Sequence, residues 1–195
     1  MDKENFNDYK EDEYLQFLGV EAPFHYQFEV RKNKITSTDV VELLEYGTQI
    51  RGSVLTKVIA LESALNVALA QHFCRGNEME PTLIEMVFAT KRVTFDHKRE
   101  ILNGILNKYY GVESTVKGAK TISNKIKDIA EMRNIFAHYP IAIDNDALSE
   151  FKSDKTLNFL KYSYSETKEK FTKEKIENFI LTIKTCHEGM LNIQF

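Results

Sequence analysis

Three side chains in a short stretch carry the residue types for chemistry on an anion: Arg133, Asn134 and His138, followed by Tyr139-Pro140. An arginine keeps its charge at any ordinary pH, so it needs a partner or an anionic ligand. Its planar fork fits phosphate oxygens, and a histidine can take or give a proton near neutral pH. Asn134 can orient the imidazole or hold a phosphate oxygen. The four-residue step from Asn134 to His138 puts both on one helix face. Arg133 and His138 are five apart, so a regular helix turns them to different faces. Their convergence needs a loosened last turn or a second copy across a two-fold axis.

The elements that must position these residues are helical. Ile122, Ile126, Ile129 and Phe136 recur at helical spacing, and Arg133 falls on the same stripe. That helix is predicted from about Ser114 or Thr121 to His138, because Pro140 pushes Tyr139 out of helical angles. Ser37-Thr38-Asp39 offers caps for an earlier helix, which Gly47 and Gly52 bend or split. The strongest helix runs from Ile50 to Phe73, with Val54, Val58, Leu61, Leu65 and Ala68 inward. Glu62 lies within or beside that stripe. It either pairs with Arg133 or points to solvent. A turn at 74–79, a short helix at 81–90 opened by Pro81, and a helix from Phe95 to Tyr110 closed by Gly111 follow. Residues 141–154 read as mostly loop. Thr156 to Tyr164 reads as a strand or half a hairpin, and Thr172 caps a last helix with Ile176, Phe179, Ile180, Ile183 and Met190 inward.

An Arg, a polar residue, three more residues and a His, late in an all-helical chain, resemble the HEPN superfamily over roughly residues 38–192. Arg133, Asn134 and His138 match its motif residue by residue. The resemblance implies a mainly α fold, an antiparallel helical bundle with a short strand or hairpin before the last helix. It implies one domain over 1–195, with an acidic arm at 1–36, core helices at 37–140 and a closing unit at 141–195. It implies a metal-independent endoribonuclease, a toxin or antiviral-defence effector, working without cofactor as a homodimer whose two motifs share one cleft. An acidic residue on an early helix near the site is also expected, and Glu62 fits. An antitoxin or a nucleotidyltransferase-type partner is implied too. Some members carry a modified Tyr two places after the His; here Tyr139 follows His138 directly and Pro140 takes that place. Tyr139 can instead stack a base. A non-catalytic HEPN-like module binding nucleotide or protein is the alternative, and a plain helical scaffold the third reading.

The bulk numbers fit this. The 195 residues, 43% hydrophobic and 28% charged, suit one globular domain. Only 3 Pro and 8 Gly argue against a loop-rich or β-sandwich fold. Cys74 and Cys186 form no metal or redox motif and read as buried free thiols of a reducing cytosol. No metal site is read, and no apolar run is taken as membrane-spanning, so the chain is expected to be cytoplasmic. The net charge of -3 does not announce a nucleic-acid binder. Its distribution is uneven, however: residues 91–127 hold nine Lys and Arg against Asp96, Glu100 and Glu113. Lys98, Arg99, Lys125 and Lys127 in that region are candidate RNA contacts.

Overall fold

The computed structural model describes residues 37–75, 77–110, 117–161 and 168–191. The acidic arm expected over 1–36 lies outside the described residues, as does Gly111. The organising element is α1, Ser37–Cys74, an unbroken helix of 38 residues. Gly47 and Gly52 were expected to bend or split it, and they do not. Gly47 is instead a point of close approach: a Cβ there would run into the side chain of Ile141. One face of α1 supplies much of the core through Val54, Val58, Leu61, Leu65 and Leu69, all buried. By length and composition Thr38–Cys74 could also cross a membrane, which corrects the sequence reading. Half of its apolar window is buried inside the protein, as in the central helix of a helical body.

After α1 comes α2, Glu80–Leu83, with Pro81 in its first turn as expected. The expected helix 81–90 is not uniform: Ile84–Phe88 widens into a π-helical turn that buries Phe88. α3, Phe95–Ile105, is capped by the Thr94 hydroxyl, which accepts from the His97 amide at 3.3 Å. It too passes into a π-helical turn, Leu106–Tyr110. α4, Lys117–His138, carries the Arg-Asn-His residues at its end. Ile126, Ile129 and Phe136 of its stripe are fully buried.

The segment after Pro140 departs from the expected loop. Asn145–Asp154 forms α5, whose Asp144 cap accepts from the Ala147 amide at 3.1 Å. Ala147, Leu148 and Phe151 bury its inner face. β1, Leu157–Leu160, then pairs antiparallel with β2, Lys168–Phe171, with Leu157 opposite Phe171. The imperfect alternation expected over Thr156–Tyr164, of which 162–164 lie outside the described residues, does not translate into alternating burial in the described part. Leu157, Asn158 and Phe159 are all buried, because α5 covers the second face through an Asn158–Glu150 hydrogen bond of 3.0 Å. α6, Lys173–Leu191, starts as read: the Thr172 hydroxyl accepts from the Lys175 amide at 3.2 Å. The fold is therefore mainly helical, with a two-stranded antiparallel ladder before the last helix. Both α1 and α4 pack on α6, and α3 closes one side.

Candidate functional site

Phe136 sets the register of the Arg-Asn-His residues. It is fully buried, with ring centroids 5.1 Å from Phe159, 4.9 Å from Phe171 and 5.8 Å from Phe179. The hairpin and α6 thus grip the last turn of α4. At about 100° per residue, Asn134 and His138 then lie about 160° from Phe136 on either side, and Arg133 about 60° away. The exposure of Asn134 and His138 agrees with this, and Arg133 is exposed as well although it lies near the buried side.

The chain leaving α4 is pinned as firmly. The Tyr139 amide still donates to the Ile135 carbonyl at 3.0 Å. The Arg51 guanidinium of α1 donates to the Tyr139 carbonyl and lies over the Phe159 ring, 5.3 Å from its centroid. Burial lowers the Arg51 pKa from its ordinary value. The Leu160 amide donates to the Pro140 carbonyl at 2.9 Å, and the Ala142 amide to the Asn158 carbonyl at 2.7 Å. Gly47 lets Ile141 sit against α1 at the same place. His138 therefore projects from a helix end that stays helical, and the loosened last turn that could have swung it toward Arg133 does not occur. Within one chain the two side chains diverge by about 140°. Tyr139 is half-buried against the core rather than presented to solvent.

Arg133 sits on the apolar stripe of α4 yet is exposed, because a cleft opens opposite it. That cleft has a volume of about 580 Å³. Val58, Glu62 and Asn66 of α1 form one wall, Ala130, Arg133 and Asn134 of α4 another, and residues 89–91 and 93–96 with Lys98 the rest. His138 does not line it. The expected Glu62–Arg133 pair is overturned. The Glu62 carboxylate accepts from Lys98 of α3 at 2.5 Å. Arg133 donates to the Asn134 side-chain oxygen at 3.2 Å and has no carboxylate partner among the described residues.

The basic candidates divide. Lys98 is only 2% exposed and engaged with Glu62, so it is not the surface phosphate contact it was taken for. Sequence reasoning missed it because a lysine after His97 in a basic run reads as solvated. The signal was its place four residues before Leu102 on the inner face of α3. Arg99 is tied to Asp96 at 2.7 Å and Glu100 at 3.6 Å. Its hydrogen bond, opposed by slight desolvation and aided by nearby charges including Lys127, holds the Asp96 carboxyl below its usual range. Lys127 is exposed and lies about two turns before Asn134 and about three turns before His138, on the outer stripe of α4. Lys125 is half-buried. Cys74 and Cys186 are free thiols, the second buried, and burial raises the pKa of Cys186. Among the described residues no group of three or more His, Cys, Asp or Glu could hold a metal ion.

Comparison with protein-family models, curated proteins and solved structures finds no match.

Proposed function

We propose that this chain is a HEPN-type, metal-independent endoribonuclease of the cytoplasm, a toxin or antiviral-defence effector that acts as a homodimer. The observation that carries this reading is the state of Arg133. It is a permanent cation without a carboxylate partner among the described residues, exposed at a cleft, on the same helix as an exposed imidazole nearly a turn and a half further on. A scaffold reading needed Arg133 consumed internally by Glu62, and Lys98 has taken that role.

RNA brings its own nucleophile. One His138 accepts the proton of the ribose 2′-hydroxyl as its oxygen bonds to phosphorus. Arg133 offsets the charge gathering on the phosphate oxygens. The bond to the 5′-oxygen then breaks, and the second copy's His138 donates its proton to that oxygen. The products are a 2′,3′-cyclic phosphate and a 5′-hydroxyl. Asn134 orients the imidazole or holds a phosphate oxygen. The divergence of Arg133 and His138 within one chain supports a two-fold pairing in which one copy's arginine meets the other's histidine. Lys127, with Arg99 of α3 nearby, extends the contact along the RNA backbone, whereas Lys125 points to the other side of α4. An antitoxin or a nucleotidyltransferase-type partner would cover the same surface.

One observation favours the alternative, a non-catalytic nucleotide- or protein-binding module: the cleft holds Arg133 and Asn134 but not His138. The two readings part in one assay. On the nuclease reading, purified protein cuts single-stranded RNA in EDTA, leaves cyclic-phosphate ends, and loses this on His138→Ala without unfolding. RNA bound but uncut by the wild type selects the binding module.

A further inference from the structure

The cleft beside Arg133 holds groups that phosphate chemistry does not use. Asn66 is 8% exposed and lines it, and its side-chain oxygen is buried without a hydrogen-bond partner. An orphaned buried acceptor costs stability, and in a cleft wall it asks for a donor. A turn about its last side-chain torsion, which is soft for an amide, presents the oxygen to the cleft. One turn earlier on α1, Glu62 faces the same space with its side chain one-third exposed. Lys98 binds one of its oxygens, which leaves acceptor sites on the carboxylate open. Val58, Val93 and Phe95 supply an apolar wall. The lining carries Lys91, Lys98 and Arg133 against Glu62 and Asp96, so it is net positive.

We infer that this cleft is a guanine subsite, taking the base of a guanine nucleotide with its phosphate at Arg133. Among the four RNA bases only guanine presents two neighbouring donors, N1–H and the 2-amino group, on one edge. That pair fits a carboxylate. Each of the other bases places an acceptor next to its donor there and would set that acceptor against Glu62, which is repulsive. N1–H and one 2-amino hydrogen go to Glu62, and the second 2-amino hydrogen goes to the Asn66 oxygen. The ring lies on the apolar wall. A cleft of this volume suits a ligand of that size. The inference rests on the proposed ribonuclease reading only where it makes the guanine part of an RNA; base selection would then fix which phosphate meets His138.

The test is calorimetric binding of the four nucleoside 5′-monophosphates and of inosine 5′-monophosphate, which lacks the 2-amino group, to the full chain. Guanosine monophosphate should bind at least about tenfold more tightly than the adenine, cytosine and uracil nucleotides, and about tenfold more tightly than inosine monophosphate. Asn66→Ala should narrow the guanosine–inosine difference severalfold, because only the Glu62 contact to the 2-amino group then remains. The inosine comparison needs no variant, so misfolding of Asn66→Ala cannot mask the answer. Equal binding of all four nucleotides, no binding, or a guanosine–inosine ratio untouched by Asn66→Ala overturns the subsite. RNA cleavage without guanine preference overturns it too and spares the ribonuclease reading. Guanine binding without any cleavage in EDTA overturns that reading and spares the subsite.

Discussion

The Glu62–Lys98 pair should respond asymmetrically to the loss of either partner. The lysine side chain is 3% exposed and the glutamate side chain 33%. Glu62→Gln strands an ammonium where water barely reaches. Breaking a buried pair in this way costs about 3–5 kcal/mol, and the open cleft beside it argues for the lower end. Lys98→Met replaces the buried stem with an apolar chain of similar volume. It strands a carboxylate that still reaches water through the cleft, so the loss should stay below about 1.5 kcal/mol. The double variant removes both charges and should cost less than Glu62→Gln alone, with a coupling of about 2 kcal/mol between the two sites. Urea unfolding followed by far-ultraviolet circular dichroism measures all four proteins. The slopes should match, so that midpoints compare directly. Equal losses for the two single variants, or a larger loss for Lys98→Met, would refute the burial argument and with it the reading that Lys98 is the internal partner of Glu62.

Three further outcomes follow from the packing around the site. Phe136→Ala should cost about 3–5 kcal/mol in the same unfolding assay, since it empties the junction of Phe159, Phe171 and Phe179; a loss under about 1 kcal/mol would contradict its role as the anchor of α4. Arg133→Ala and His138→Ala, both at exposed positions, should each stay within about 0.5 kcal/mol of the wild type; a large loss from either would return that side chain to a structural role. Desolvation works to raise the Asp144 pKa, but the Lys168 hydrogen bond and the Ala147 amide outweigh it and hold it below its ordinary value. That carboxylate therefore adds stability above the unfolded-state pKa of about 4, and the gain fades as pH falls through the lower folded value. The gap between wild type and Asp144→Asn should accordingly close in acid; a gap that widens there would reverse the sign.

The stripes of α1 and α4 were legible because long helices repeat their burial pattern many times over. The Thr172 cap of α6 was legible because the hydroxyl lies just before a run of inward apolar residues. α5 escaped notice because ten residues give few repeats, and Asp144-Asn145-Asp146 reads equally well as a polar loop. Its signal was the Asp144 cap followed by Ala147, Leu148 and Phe151. Gly47 looked like a helix breaker, because nothing local says that Ile141 will press against it. The pairing of Glu62 was open for the same reason. Lys98 and Arg133 are both among the cations that line the cleft, and only the tertiary approach of α3 decides which one reaches the carboxylate. The outward placement of Asn134 and His138 followed from the inward Phe136, whereas the exposure of Arg133 on an apolar stripe depended on the cleft opening opposite it.

The central claim is that the two copies of His138 serve one phosphate. Co-expression of wild-type chain with His138→Ala chain in equal amounts tests it through RNA cleavage in EDTA. A centre that needs the histidine of both copies leaves only dimers of two wild-type chains active, about a quarter of the total at random pairing. The account predicts that quarter; activity at about half, proportional to the wild-type chain present, would mean each copy works alone and would contradict it.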